Sequence, residues 1–280
     1  MQITKKAGFF VYMKESNAMF ASLNQHKGLL WDLVKRDFIG RYKGSVMGIT
    51  WSFFNPLIML AIYTMVFSVA FKAKWGVGEE NKLTFAIMLF SGMIIHSFFS
   101  ECLNRAPGLI TGYPNYVKKV VFPLEILPWM ALCSALLHFV ISFGVLIIFC
   151  ALAGVSIHPG ILLTPVILLP LMLTTIGLTW ILSSLGVYLR DLSQVIGVAT
   201  TVALFLAPIF YPVESLPQAY RVFITLNPIT LPIHQLREAM LMNQPLRWDL
   251  WGFSLVEGVL ISHLGYWWFQ KSRKGFADVI

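Results

Sequence analysis

The chain has 280 residues, 57% of them hydrophobic and 12% charged, with a formal net charge of +8, whereas soluble proteins average about 45–50% apolar and about 25% charged residues. Uncharged runs such as 44–71 and 126–189 exceed the roughly 20 apolar residues that cross a bilayer, which excludes an ordinary water-soluble enzyme. The blocks are solid rather than alternating, which specifies helical spans over a β-barrel, and the basic residues flank them, where they orient the chain in a membrane instead of marking a nucleic-acid surface.

In chain order, residues 1–43 are polar and basic with no continuous apolar core, so no cleavable signal peptide is expected and the first span serves as the targeting signal. Within 28–43, Leu30, Val34, Phe38 and Tyr42 recur every four residues, and Asp32/Arg36 and Asp37/Arg41 are acid-before-base pairs on the same helix. This predicts an amphipathic helix on the inner membrane surface; a helical cap on another subunit is the alternative. Six spans follow, at 45–71, 83–104, 127–153, 161–188, 192–210 and 250–269. The Gly- and Pro-containing turn 154–160 makes the third and fourth an antiparallel hairpin. Beyond the fifth span, Pro208, Pro212 and Pro217 forbid one straight helix. Ser215 as an N-cap and the Asn227-Pro228 break then predict two short helices, about 216–226 and 230–242, on the external side. They can dip into the membrane only where protein buries the broken backbone.

An even number of spans puts both termini on one side, and the N-terminus, the 105–125 loop, the 188–191 turn and the tail hold 15 of the 21 Lys and Arg residues. That side is therefore cytoplasmic. The expected architecture is an all-α integral membrane protein: a cytoplasmic N-terminus with its interfacial helix (1–44), a six-helix transmembrane domain (45–270) and a cytoplasmic tail (271–280).

Chemical machinery is sparse. The sequence has no G-x-x-x-x-G-K-[ST] phosphate loop, no H-E-x-x-H and no clustered His/Cys/Asp set, so the chain is not expected to hydrolyse ATP itself or to hold a metal. Cys102, Cys133 and Cys150 lie in or beside apolar runs and read as small core residues. Glu257 and His138 fall inside spans, which raises a proton relay. The simpler expectation is a neutral His138 bonded to Ser134 or Ser142, and a Glu257 that meets a polar partner on another helix or a water-filled cavity. Glu101 and Arg105 are spaced as a structural ion pair. Asp191 with Gln194 reads as a capping box, and Arg190 as a mark of the membrane boundary. The loop from 105 to 127 is too apolar for a solvated connector: Leu109, Ile110, Tyr113, Tyr116 and Val117 are spaced for a short or bent helix with a contact face beside Lys118 and Lys119. That face either adheres to the membrane or docks a cytoplasmic partner.

Five segments in order carry a resemblance: Asp37-Phe-Ile-Gly-Arg-Tyr-Lys-Gly-Ser-Val-Met-Gly-Ile-Thr-Trp-Ser-Phe-Phe-Asn-Pro-Leu, Val117-Lys-Lys-Val-Val-Phe-Pro-Leu-Glu-Ile-Leu-Pro, Tyr188-Leu-Arg-Asp-Leu, Pro208-Ile-Phe-Tyr-Pro and Phe276-Ala-Asp-Val-Ile. Together, over almost the whole chain, they resemble the permease subunit of bacterial polysaccharide ABC exporters, the ABC-2 type family that exports O-antigen, capsule and teichoic-acid chains. The resemblance implies an inner-membrane permease that works as a homodimer with two separate nucleotide-binding ATPase subunits, which hold the ATP and Mg. Its cargo would be an undecaprenyl-linked or otherwise lipid-anchored polysaccharide, and no cofactor is expected on this chain. The 28–43 helix resembles a gate helix and the 105–119 loop a coupling helix. The residues expected to couple to the ATPase are Arg36, Arg41, Pro107, Gly108, Leu109, Ile110, Tyr113, Lys118, Lys119, Arg190 and Asp191.

Given such a cargo, an aromatic-lined path is expected, with Trp51, Phe54 and Tyr63 of the first span and Phe205, Phe210 and Tyr211 of the fifth among its walls. Flat rings stack on the C–H faces of successive sugars without trapping them, much as aromatic side chains hold single-stranded nucleic acid. Aromatics also populate lipid-facing belts, and Trp251, Trp267 and Trp268 read that way. Three other functions compete. An ABC-2 exporter of drugs or other lipids differs only in cargo; a proton-coupled secondary transporter would need more midplane charges than Glu257 and His138; a membrane-embedded glycosyl or acyl transferase would need a cluster of acids or metal ligands at one membrane face.

Overall fold

A computed structural model describes residues 19, 21–66, 82–118, 122–213 and 217–280, and every regular element among them is helical. Helix α1 (Lys27–Gly40) precedes α2 (Trp51–Met65) and α3 (Lys82–Arg105). A 3₁₀ turn (Ala106–Gly108) leads to the short α4 (Pro114–Lys118). The α5–α6 hairpin (Ile126–Leu152, Thr164–Tyr188) is followed by α7 (Leu192–Phe205). The chain then passes through α8 (Gln218–Thr225), α9 (Thr230–Leu241) and α10 (Trp248–Ser272) to the terminal turn α11 (Phe276–Val279). Ser215 and Lys119 lie outside the described residues, as do 1–18 and the end of the first predicted span beyond 66.

Four described segments are long and apolar enough to cross a membrane: Gly48–Met65, Leu83–Gly108, Ile126–Leu152 and Pro159–Tyr188. The other two predicted spans are of a different kind. α7 has 14 residues, about 21 Å of helix against a hydrocarbon core of about 30 Å. It stops at Phe205 rather than running on to Phe210, because Pro208 has no N–H and its ring clashes with the preceding turn. α10 is 25 residues long but carries Asp249, Glu257 and Lys271.

The bundle closes on small residues and locally satisfied hydroxyls. α6 and α10 touch backbone to backbone: a Cβ at Gly177 would collide with the Ile261 carbonyl, one at Gly265 with the Gly177 carbonyl, and one at Gly258 with the Pro170 carbonyl. Without a hydrophobic drive between helices in lipid, such close approach supplies the dispersion contact. Buried Thr174, Thr175 and Thr179 return their hydroxyls to carbonyls one turn back, at Pro170, Leu171 and Thr175. Pro170 interrupts the α6 ladder and frees the Val166 carbonyl, which accepts the Trp251 indole N–H at 2.8 Å. Trp251 is thus a half-buried cap rather than the belt residue that its position in the sequence suggested.

At one end of the bundle the Ala106–Gly108 turn packs against α6, where a Cβ at Gly186 would strike the Pro107 carbonyl. At that same end, the Tyr188 hydroxyl donates to the Ser272 carbonyl, buried Phe276 lies against Phe269, and Arg273 pairs with Glu125 at 2.9 Å. The 105–118 segment, the 188–191 turn and the C-terminal turn therefore converge at one end of the bundle.

Candidate transport site

Among the described residues, polar groups gather at the junction of α1 with α3 and α5 and at the break that follows α7.

The stripe on α1 finds its cover within the chain. Leu33 and Val34 are buried and Leu30 packs on the core, with α5 as the principal neighbour. Below them the polar side docks through charges. Arg105 reaches Asp37 at 2.6 Å and Glu101 at 3.9 Å, while Arg41 pairs with Glu101 and, at 3.5 Å, with Asp37. His138 is bonded to the Glu101 carboxylate at 2.9 Å and lies 3.1 Å from the Tyr42 hydroxyl, not to Ser134 or Ser142 as expected. The Phe38 ring lies 5.0 Å from the His138 ring. Burial opposes ionisation of Asp37, but the neighbouring groups, the Arg105 guanidinium first and Arg41 among the rest, together outweigh it and hold the carboxyl below the ordinary carboxylate range. Arg36 forms no pair with Asp32; its guanidinium donates to the Tyr116 hydroxyl at 3.0 Å. Tyr116 in turn stacks on Tyr113 and Phe122, at 5.5 and 4.3 Å between centroids. α1 is thereby tied both to α3 and to the segment that follows it.

That segment corrects the sequence reading. Leu109 and Ile110 are 4% and 0% exposed, and Pro107 is buried with them. They anchor the segment to its own bundle and offer no face to a partner. The outward groups are Gly108, Thr111, Gly112, Pro114, Asn115 and Lys118, with Tyr113 half-buried. Arg190 and Asp191 are exposed in the neighbouring turn. Asp191 stands at the N-cap of α7 without a side-chain cap bond, so the expected capping box is not formed.

Above the charged junction, a cavity of about 340 Å³ lies between α2, α3 and α5, lined among others by Arg41, Asn55, Tyr63, Ser97, Glu101 and His138. Of the predicted path residues, Tyr63 faces this cavity, Phe54 is half-buried against Phe53, and Trp51 is 39% exposed. Phe205, Phe210 and Tyr211 come together at the α7 break. The Phe205 and Phe210 rings stack at 5.8 Å, and the Tyr211 hydroxyl donates to the Phe205 carbonyl at 2.6 Å. Asn227 caps the Ala203 carbonyl at 2.8 Å, and His96 reaches the Thr200 carbonyl at 3.0 Å. A helix that ends inside an apolar layer leaves carbonyls that water cannot reach; here Asn227 takes up that of Ala203 and Tyr211 that of Phe205. Glu257 lines a cleft of about 580 Å³ with His234, Glu238 and Arg247.

Sequence reasoning missed Arg237, His96 and Asn227 as members of this region. Arg237 had one visible signal, as the single Lys or Arg of Thr230–Leu241.

The family model for the ABC-2 type transporter matches residues 28–241, from α1 through the break to the end of α9. The chain belongs to the ABC-2 type transporter family. Among relatives of this ABC-2 protein are O-antigen export system permease proteins RfbA. The one from Myxococcus xanthus is 29% identical over 209 residues, covering 74% of this chain and 78% of that protein. Two from Klebsiella pneumoniae are 25% and 24% identical over 267 and 269 residues, each covering 94% of this chain and the whole of the relative.

Proposed function

We propose that this chain is the transmembrane permease subunit of an ATP-driven exporter that moves a lipid-linked, O-antigen-like polysaccharide across a bacterial inner membrane. It works as a homodimer with two separate ATPase subunits, which bind the ATP and Mg. The observation that carries this reading is end-to-end likeness to O-antigen export permeases, over 94% of this chain and all of each Klebsiella relative. In this reading there are six spans. α7 with its capped break forms the fifth and α10 the sixth, both termini face the cytoplasm, and α1 acts as the gate helix.

The physical arrangement supports a mechanical role for the 106–118 segment. Its buried residues Pro107, Leu109 and Ile110 make it rigid with respect to α3 and α6, and Arg36 links it to α1. A push on its outer surface is therefore delivered to the bundle rather than absorbed locally. The docking surface is assigned to Thr111, Asn115 and Lys118, with Arg190 and Asp191 beside it.

The test uses the permease co-expressed with its ATPase in cells that lack their own O-antigen permease. Wild type restores surface glycan; the triple variant Thr111→Glu, Asn115→Glu, Lys118→Glu inserts normally but loses ATPase co-purification and export. Absence of export by the wild-type pair would reject the cargo, and intact co-purification of the triple variant would reject the docking surface.

A further inference from the structure

Arg237 stands on α9 and is 3% exposed. Its guanidinium bonds to two stretches of chain: Nε donates to the Met88 carbonyl at 3.0 Å and to Ser91 Oγ at 3.3 Å, Nη1 to the Pro208 carbonyl at 2.6 Å, and Nη2 to the Met88 carbonyl at 2.6 Å and the Ile209 carbonyl at 3.4 Å. Met88 and Ser91 belong to α3, while Pro208 and Ile209 are the break after α7. The approach requires Gly92, where a Cβ would lie 2.8 Å from Nη2 and 3.2 Å from Ile209 Cγ1.

We propose that Arg237 is a positioning residue that braces the 207–211 break against α3 and so sets the place of Phe210 and Tyr211 at the outer end of the transport path. The inference rests on the export reading for its consequence, but the brace itself is independent of cargo. Irregular backbone in an apolar layer needs donors for its carbonyls. A guanidinium supplies a planar fork of five N–H groups, which a lysine ammonium cannot reproduce across three elements. A hydrocarbon side chain would fill the same space at lower desolvation cost, so what the cation adds is geometry. Phe210 and Tyr211 hold on to α7 through the Phe205 ring and carbonyl; Arg237 joins that assembly to α3.

The experiment places a single cysteine at Ile209, fully buried, with Cys102, Cys133 and Cys150 replaced by Ala. Labelling by a membrane-impermeant maleimide is followed in cells stripped of the outer membrane. Arg237→Gln and Gly92→Ala should each speed labelling by about ten-fold through more frequent local opening, with Arg237→Lys intermediate. In the same cells carrying the ATPase, Arg237→Lys should lose export per ATP hydrolysed, whereas a general loss of folded protein would lower both together. Unchanged labelling in any two variants that accumulate as monodisperse protein overturns the brace. Failure of all three to accumulate assigns Arg237 to folding and overturns it equally. Wild type that exports nothing, with accelerated labelling in the variants, would reject the cargo and leave the brace standing.

Discussion

Asp37 is placed where α1, α3 and the start of the 106–118 segment meet, and its side chain is only 10% exposed. The carboxylate answers Arg105 from one side and Arg41 from the other. Removing it leaves the Arg105 guanidinium facing a neutral amide, and hydrogen bonds to charged groups contribute about 1.5–3 kcal/mol. Asp37→Asn should therefore loosen α1 by an amount of that order, read as faster hydrogen exchange at the Leu33 and Val34 amides; unchanged protection would deny Asp37 the role. Because the folded carboxyl lies below its ordinary range, its contribution is complete above about pH 4 and is lost only as pH falls through the depressed folded value. Protection of α1 should then stay flat from pH 5 to 8 as far as Asp37 decides it. The pairs Asp37/Arg41 and Glu101/Arg105 were legible in the sequence, because spacing along one helix reports i,i+4 neighbours. The stronger contacts Asp37–Arg105 and Glu101–His138 were not, since each joins two helices whose relative position no local pattern encodes.

Elements were legible where their signals are local. The predicted 28–43, 83–104, 127–153, 216–226 and 230–242 helices fall within a few residues of α1, α3, α5, α8 and α9, because apolar periodicity and the Pro and Gly breaks act within a turn or two. Burial was less legible: Leu109 and Ile110 read as an outward face because apolar loop residues look alike whether they meet a partner or their own core. Packing between elements makes a sharper prediction. Gly265 and Gly177 bring α6 and α10 into backbone contact, so no flexible side chain can yield to an added methyl group. Gly265→Ala should destabilise the protein by about 1–3 kcal/mol, the usual cost of overpacking, and lower its thermal midpoint in detergent. Gly144→Ala on α5 is the control, because a Cβ there meets nothing within 4 Å and alanine is the better helix former. Equal midpoints for the two variants would refute the tight crossing.

At the scale of the molecule, the described residues of one chain form no continuous conduit. Its centre is filled by Phe98, Trp180, Phe269 and their neighbours. The 340 Å³ and 580 Å³ cavities open near opposite ends, each lined by its own set of residues. On the proposed export reading the glycan path runs between two copies, because a hydrated glycan cannot travel against lipid tails, and the question becomes which faces meet. Helices α2 and α7 both present apolar faces with aromatics: α2, on which Leu60 is the one buried residue and Trp51, Leu57, Ile58 and Ile62 are exposed, and α7, with Val195, Val198, Val202 and Phe205. Both pack on α3, and both carry residues of the proposed aromatic path. α10 is also exposed, at Phe253, Val256, Leu260 and Leu264, but it backs onto α6 and contributes none of those rings. Exposure alone does not choose between these faces: Val198 is 66% exposed and Leu260 64%. The export reading does, placing Val198 beside the partner copy and Leu260 against lipid. A single cysteine at Val198, with the three native cysteines replaced by Ala, should oxidise to a covalent dimer in membranes, since a disulfide needs Cα atoms within about 7 Å. The cysteine at Leu260 should remain monomeric under the same oxidant. Dimer from Leu260 with none from Val198 would move the interface to α10 and remove α7 from the path.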